Sequence, residues 1–166
     1  MSLVKAKLKA CDSGAKDIEF MFNPNELSLG KEVRVDQAEG ARTDEGLSKV
    51  SFKYPINQTV NINNLYIDTY ETKKSVLTYI YQFEQALDFV KSGPAKGKRP
   101  PIYIFIWGDY QYLRCFVTKL DYTLKMFLPD GTPVRATVNL TLLETDAASS
   151  QGSTKASGRS SGSSRW

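Results

Sequence analysis

Apolar and polar residues alternate with a period of two along most of this chain and follow a helical period once, so the pattern predicts many strands and a single helix. Val4, Ala6, Leu8 and Ala10 alternate with Lys5, Lys7 and Lys9. Ile18, Phe20 and Phe22 alternate with Asp17, Glu19 and Met21 until Pro24 removes a ladder donor. Asp12-Ser13-Gly14 between the two runs reads as the turn of a hairpin.

Residues 27–35 and 47–54 are expected to form two further strands, joined by a long acidic connection, 36–46. Val60 and Ile62, then Leu65 and Ile67, fit a strand whose phase breaks at Asn63-Asn64, the mark of a bulge. Val76, Ile80, Phe83, Leu87 and Val90 draw one apolar stripe down a helix over 75–90, and Ser92-Gly93-Pro94 ends it. Ile102, Ile104 and Ile106 interleave with Tyr103, Phe105 and Trp107, so that strand has no polar face and must be covered on both sides. Residues 110–117, continuing to 126, and 134–143 close the domain across Asp130-Gly131, a hairpin signal because glycine tolerates positive φ. Val76, Ile80, Phe83, Leu87, Ile104, Ile106 and Val138 are the expected centre of the core, in a mainly β (α+β) domain with one helix.

Four short segments carry a family likeness in their order: Phe22-Asn23-Pro24, Leu65-Tyr66-Ile67-Asp68-Thr69-Tyr70-Glu71, Phe105-Ile106-Trp107-Gly108, and Pro129-Asp130-Gly131-Thr132-Pro133-Val134-Arg135-Ala136. With them, the first 145 or so residues resemble the tube-like domain of contractile injection systems, found in phage-tail-like particles as tube and baseplate-hub proteins. The resemblance implies a tail-tube-like β-barrel or sandwich with a single packed helix, assembled as a hexameric ring where the inner tube meets spike and baseplate. Many such proteins carry a LysM module after the tube-like domain. This chain departs from them, because after Glu144 its composition turns to Ser, Gly, Ala and Thr, leaving no room for that module.

Composition sharpens this reading. With 166 residues and 41% apolar content, one domain of this size buries roughly 68% of the surface of its unfolded form. The expected organisation is a tube-like domain over 1–144 and a Ser/Gly-rich tail over 145–166, which has too little apolar surface to offset its ordering entropy. Half of the net charge of +4 falls in that tail, through Lys155, Arg159 and Arg165 against Asp146, so the body is only mildly basic. Cys11 and Cys115 make neither a disulfide framework nor a zinc ligand set. The N-terminus alternates with lysines instead of carrying a signal-like apolar run, and no apolar run is long enough to span a bilayer, so cytoplasmic assembly without membrane insertion is expected.

The absence of histidine removes the commonest general base and zinc ligand, and triads built on it. Carboxylate pairs such as Asp68 with Glu71, or Asp17 with Glu19, have the chemistry for glycoside hydrolysis, but ordinary strand and turn carboxylates explain them better. The aromatics near Tyr103 sit among isoleucines and read as core, not as a stacking platform. The expected function is therefore non-enzymatic: a baseplate hub adaptor or tube-initiating ring joining spike to inner tube, without cofactor or nucleic acid. A repeated inner-tube subunit is the alternative in the same machine, and a small nucleic-acid-binding β-barrel the alternative of another class. Partners are other copies of the chain and the spike, inner-tube and baseplate proteins. Candidate interface residues are the acidic Asp36, Glu39, Asp44 and Glu45, the basic Lys96, Lys98 and Arg99, and the terminal Arg165 and Trp166, since head-to-tail rings need two different patches and opposite charge steers them.

Overall fold

A computed structural model describes residues 2–42, 44–46 and 48–146, with the backbone alone for 38, 39, 41, 42, 48 and 49. The alternating N-terminal runs pair as expected. Strands β1 (Ala6–Ala10) and β2 (Ile18–Glu19) are antiparallel, and Gly14 sits between them at φ 87°. β3 (Ser28–Arg42) and β4 (Ser48–Asp68) form one long hairpin, followed by α1 (Leu77–Gln85), β5 (Tyr103–Trp107), β6 (Tyr110–Phe127) and β7 (Pro133–Glu144). The ladder is an open seven-stranded antiparallel sheet in the order β2-β1-β5-β6-β7-β4-β3.

Side chains bring β4 back to the segment that follows β2. The Phe22 ring meets Tyr66 edge-on at 5.6 Å, and the Asp68 N–H points at Met21 Sδ at 3.4 Å. The enclosed face holds one apolar cluster drawn from β1, β2, β4, β5, β6, β7 and the helix. Phe20 lies between Phe83 of the helix and Phe105 of β5, with ring centroids 6.0 and 6.1 Å away. This is the expected mainly β fold with one packed helix.

The break at Asn63-Asn64 is real and has a purpose in packing. The pairing of β4 with β7 shifts between Ile62 and Leu65, Asn64 adopts φ 54°, and its N–H is held by Asn139 Oδ1 at 2.8 Å. The shift keeps Val60, Ile62, Leu65 and Ile67 all buried, although even spacing would put the second pair on the wrong face.

Three expectations change. The helix is shorter than 75–90: Val76 donates its N–H to the Pro133 carbonyl, and beyond Ala86 the chain turns because Val90 exchanges backbone hydrogen bonds with Arg99 and Gly97. The stripe survives, since Ala86 and Val90 are still buried and Leu87 is partly so. Ile104 and Ile106 are half-buried, and it is Tyr103 and Phe105 that enter the core. The neighbouring strand decides this. Leu8 stands opposite Phe105, while Lys7 and Lys9 stand opposite Ile106 and Ile104, so the lysines commit the isoleucine face to the outside.

The third change is the largest. Residues 36–42, expected in a loop, continue β3, and the two strands expected over 47–54 and 60–67 are one strand of 21 residues. Pairing across the hairpin satisfies the backbone whatever the side chains are, so a segment with no buried face reads as a loop from its polarity. Pro55 is tolerated because β4 there has β3 as its sole neighbour: pairing with β7 begins at Thr59.

Candidate assembly surfaces

The part of β4 that precedes Thr59 leaves the sheet with its β3 partner as a two-stranded arm. Its root is clamped to the end of β7: Asn57 Nδ2 donates to the Glu144 carbonyl at 2.9 Å, and the Gln58 N–H to Glu144 Oε2 at 2.8 Å. Outward from there it extends roughly 30 Å at strand rise. Direct opposition in the ladder puts Val35 with Phe52 and Gln37 with Val50 on one face, and Asp36 with Ser51 on the other. The first face is apolar and wet: Val33, Val35 and Val50 are exposed, and Phe52 is 77% exposed. The second carries the Lys53–Asp36 ion pair, 2.5 Å. Asp44 and Glu45 are exposed at the turn, while Glu39 lies on β3 with its side chain outside the description.

The basic candidates lie on the segment after the helix. Lys96 and Lys98 are exposed there beside Lys91. Arg99 has a different place: its guanidinium grips Asp12 with two hydrogen bonds, 2.6 and 3.0 Å, and Asp12 also accepts the Ile102 N–H at 2.8 Å. The Asp12 side chain is fully enclosed, and its carboxylate holds the Arg99 guanidinium above the ordinary arginine range. The pair fastens this segment to the β1–β2 turn. A lone Asp before Ser-Gly gave no sign of it beyond turn chemistry.

Between that turn, α1 and the basic segment lies a cleft of about 440 Å³, with Ile18, Tyr103 and Val90 among its lining and the exposed rings of Tyr81 and Phe89 along it. Phe89 is 55% exposed because the helix ends before it. This surface was not among the sequence candidates, because it forms only where three distant segments meet.

Three of the four signature segments meet as joints of the body. Asn23 accepts the Ala6 N–H and donates to the Val4 carbonyl, both at 2.8 Å, which closes the ladder beyond β2. Asp68 Oδ2 accepts Arg135 Nε at 3.0 Å and Nη2 at 2.8 Å, and the same guanidinium lies 5.8 Å from the Tyr66 ring centroid. The Tyr70 N–H, with Arg135, holds the Asp68 carboxyl below its ordinary range. Thr69 donates its N–H to the Val134 carbonyl at 2.8 Å, so the second and fourth segments are laced together directly. Asp130 accepts the Thr132 N–H at 2.9 Å, and Gly131 takes φ 88° in the predicted hairpin loop.

These bonds engage one carboxylate of each pair weighed for hydrolysis: Asp68 is bound to Arg135, and Asp17 accepts the Ala10 N–H at 2.8 Å. Among the described residues no cluster of His, Cys, Asp and Glu has the makings of a metal site, and no helix is long and apolar enough to cross a membrane. Both cysteines are buried free thiols, and burial pushes Cys115 up to about 12. Arg165 and Trp166 lie outside the described residues.

Residues 1–153 match the family described as contractile injection system tube protein. The chain belongs to that family. No curated protein matches it. A tube protein is a structural component of its injection particle, self-associating and assembling with other components, so the unpartnered surfaces are where its function lies.

Proposed function

We propose that this tube protein forms a ring at the junction of spike and inner tube, as a baseplate hub adaptor or tube-initiating ring. The amphipathic arm is the observation that carries self-assembly. A two-stranded ribbon is marginal alone, and an exposed apolar face on it marks an association surface. The acidic Asp36, Asp44 and Glu45 of the arm, with Glu39 in the same strand, and the basic Lys96 and Lys98 supply opposite charges for head-to-tail contact. Arg99 acts behind them by fixing the segment that bears the lysines. The order of the signature segments supports a place along the tube and hub of the particle, and assembly takes place in the cytoplasm. The tail over 145–166 extends onto a neighbouring baseplate or hub protein with Arg165 and Trp166 as its anchor.

The repeated inner-tube subunit is the competing position, and copy number separates the two. In purified particles, quantitative mass spectrometry should give this protein a fixed ratio to the spike, whatever the length of the particle. A copy number that rises with tube length would replace the hub reading with the inner-tube one. Deleting 147–166 tests the tail: particles that assemble and fire normally without it leave it no structural role.

A further inference from the structure

We propose that the arm of one copy seats in the aromatic-walled cleft of the next copy, with Phe52 entering between Tyr81 and Phe89. The inference rests on the ring reading above and names the two surfaces that close the ring. Size, charge and position support it.

A cavity of about 150 Å³ already holds benzene, so a cleft of about 440 Å³ has room for the Phe52 ring together with a neighbouring valine of the same face. Charge agrees. The arm's turn carries Asp44 and Glu45, and the Val90 wall of the cleft is bonded, through the Gly97 N–H and the Arg99 carbonyl, to the turn that bears the exposed Lys96 and Lys98. Among the charges that line the cleft itself, Lys16 and Lys91 offset Asp17 and Asp88, so the surplus positive charge beside it is that of Lys96 and Lys98.

Position fits a ring. Tyr103 in the cleft pairs with Cys115, Cys115 pairs with Glu144, and Glu144 clamps Gln58 at the root of the arm. The root of the arm and the cleft thus share one level of the sheet, three strands apart, or roughly 14 Å at strand spacing, and Phe52 stands roughly 20 Å further out along the arm. Phe52 stands free of its own body, so the contact joins different copies. Rotation about an axis, repeated, brings each arm to the next cleft, which is a heterologous interface that closes.

The test reverses charge on each side separately, in the full-length protein. One variant carries Lys96→Glu and Lys98→Glu; the other carries Asp44→Lys and Glu45→Lys. Light scattering should show that wild type forms rings and neither variant does so alone. The equimolar mixture should form them again, because every arm then meets a cleft of opposite charge in an alternating ring. Phe52→Ser in the wild-type background should weaken self-association at least ten-fold, with an unchanged circular dichroism spectrum. Rings from either charge variant alone, a mixture that stays dispersed, or a Phe52→Ser protein that associates like wild type would overturn the arm-in-cleft contact and leave the ring reading standing. A wild-type protein that remains monomeric at every concentration would overturn the ring reading itself, and this inference with it.

Discussion

The same antiparallel ladder is held by different means in the body and in the arm. In the body, strands β1, β5, β6, β7 and the inner half of β4 bury one face against the helix, and Val60, Phe105, Val138 and Leu142 are shut from water. In the arm the ladder continues with both faces wet, and the Lys53–Asp36 ion pair is exposed. Hydrogen bonding alone therefore does not distinguish the two regions. Burial does, and it teaches that the body supplies folding stability while the arm stores unspent apolar surface for another molecule.

The largest effect that sharpens this contrast belongs to Phe83, which is 3% exposed and packed against Phe20 with the two rings tilted by 44°. Phe83→Ala should cost about 3 to 5 kcal/mol of unfolding free energy in denaturant titration. A loss below about 1 kcal/mol would mean that the helix does not anchor the body.

Next comes Asp12→Ala, which takes the carboxylate from beside the Arg99 guanidinium and removes the acceptor of the Ile102 N–H. A loss of about 3 kcal/mol is expected, as for breaking an enclosed ion pair from one side. The double variant with Arg99→Met should recover part of it. Without recovery, the cost would lie in the Asp12 backbone turn.

A smaller effect appears with pH. The Asp68 carboxyl is held below its ordinary value of 3.8, chiefly by the Tyr70 N–H and then by Arg135. The sign follows: the carboxylate favours the folded state above that ordinary value, and the contribution is lost as pH falls through the lowered one. Asp130 is shifted in the same direction, so the difference between proteins is what counts. Asp68→Asn should be less stable than wild type at neutral pH, and the gap should close on acidification below about pH 4. A gap that stays constant with pH would assign the effect to packing.

The smallest stability change belongs to the arm. Replacing Val35 and Val50 by threonine should move unfolding by no more than about 0.5 kcal/mol, as for exposed positions, while ring formation measured by light scattering falls. A large loss of stability there would erase the distinction between arm and body.

Much of the body was legible as pattern. The lysine alternation of β1, the phase break at Asn63-Asn64 and the Asp130-Gly131 loop each appear where the sequence put them. The helix was legible as a stripe but not as a length, because its end is set by Val90 bonding to Arg99 and Gly97, a contact outside the helix. Asp36 and Glu39 were legible as charge but not as strand, since no apolar alternation marks residues 36–42, whereas Asp44 and Glu45 lie at the turn as a connection would put them. Arg99 was read as surface because nothing local announces a partner 87 residues away.

The sequence by itself determined the fold class, the two-residue alternation of the strands and the family, because these follow from local chemistry and from the order of short segments. The tertiary structure decided which face of β5 is inside, where the helix stops, that Arg99 is internal, and that a cleft opens beside α1. Those outcomes depend on which distant segments become neighbours, and periodicity along one segment holds no information about the segment beside it.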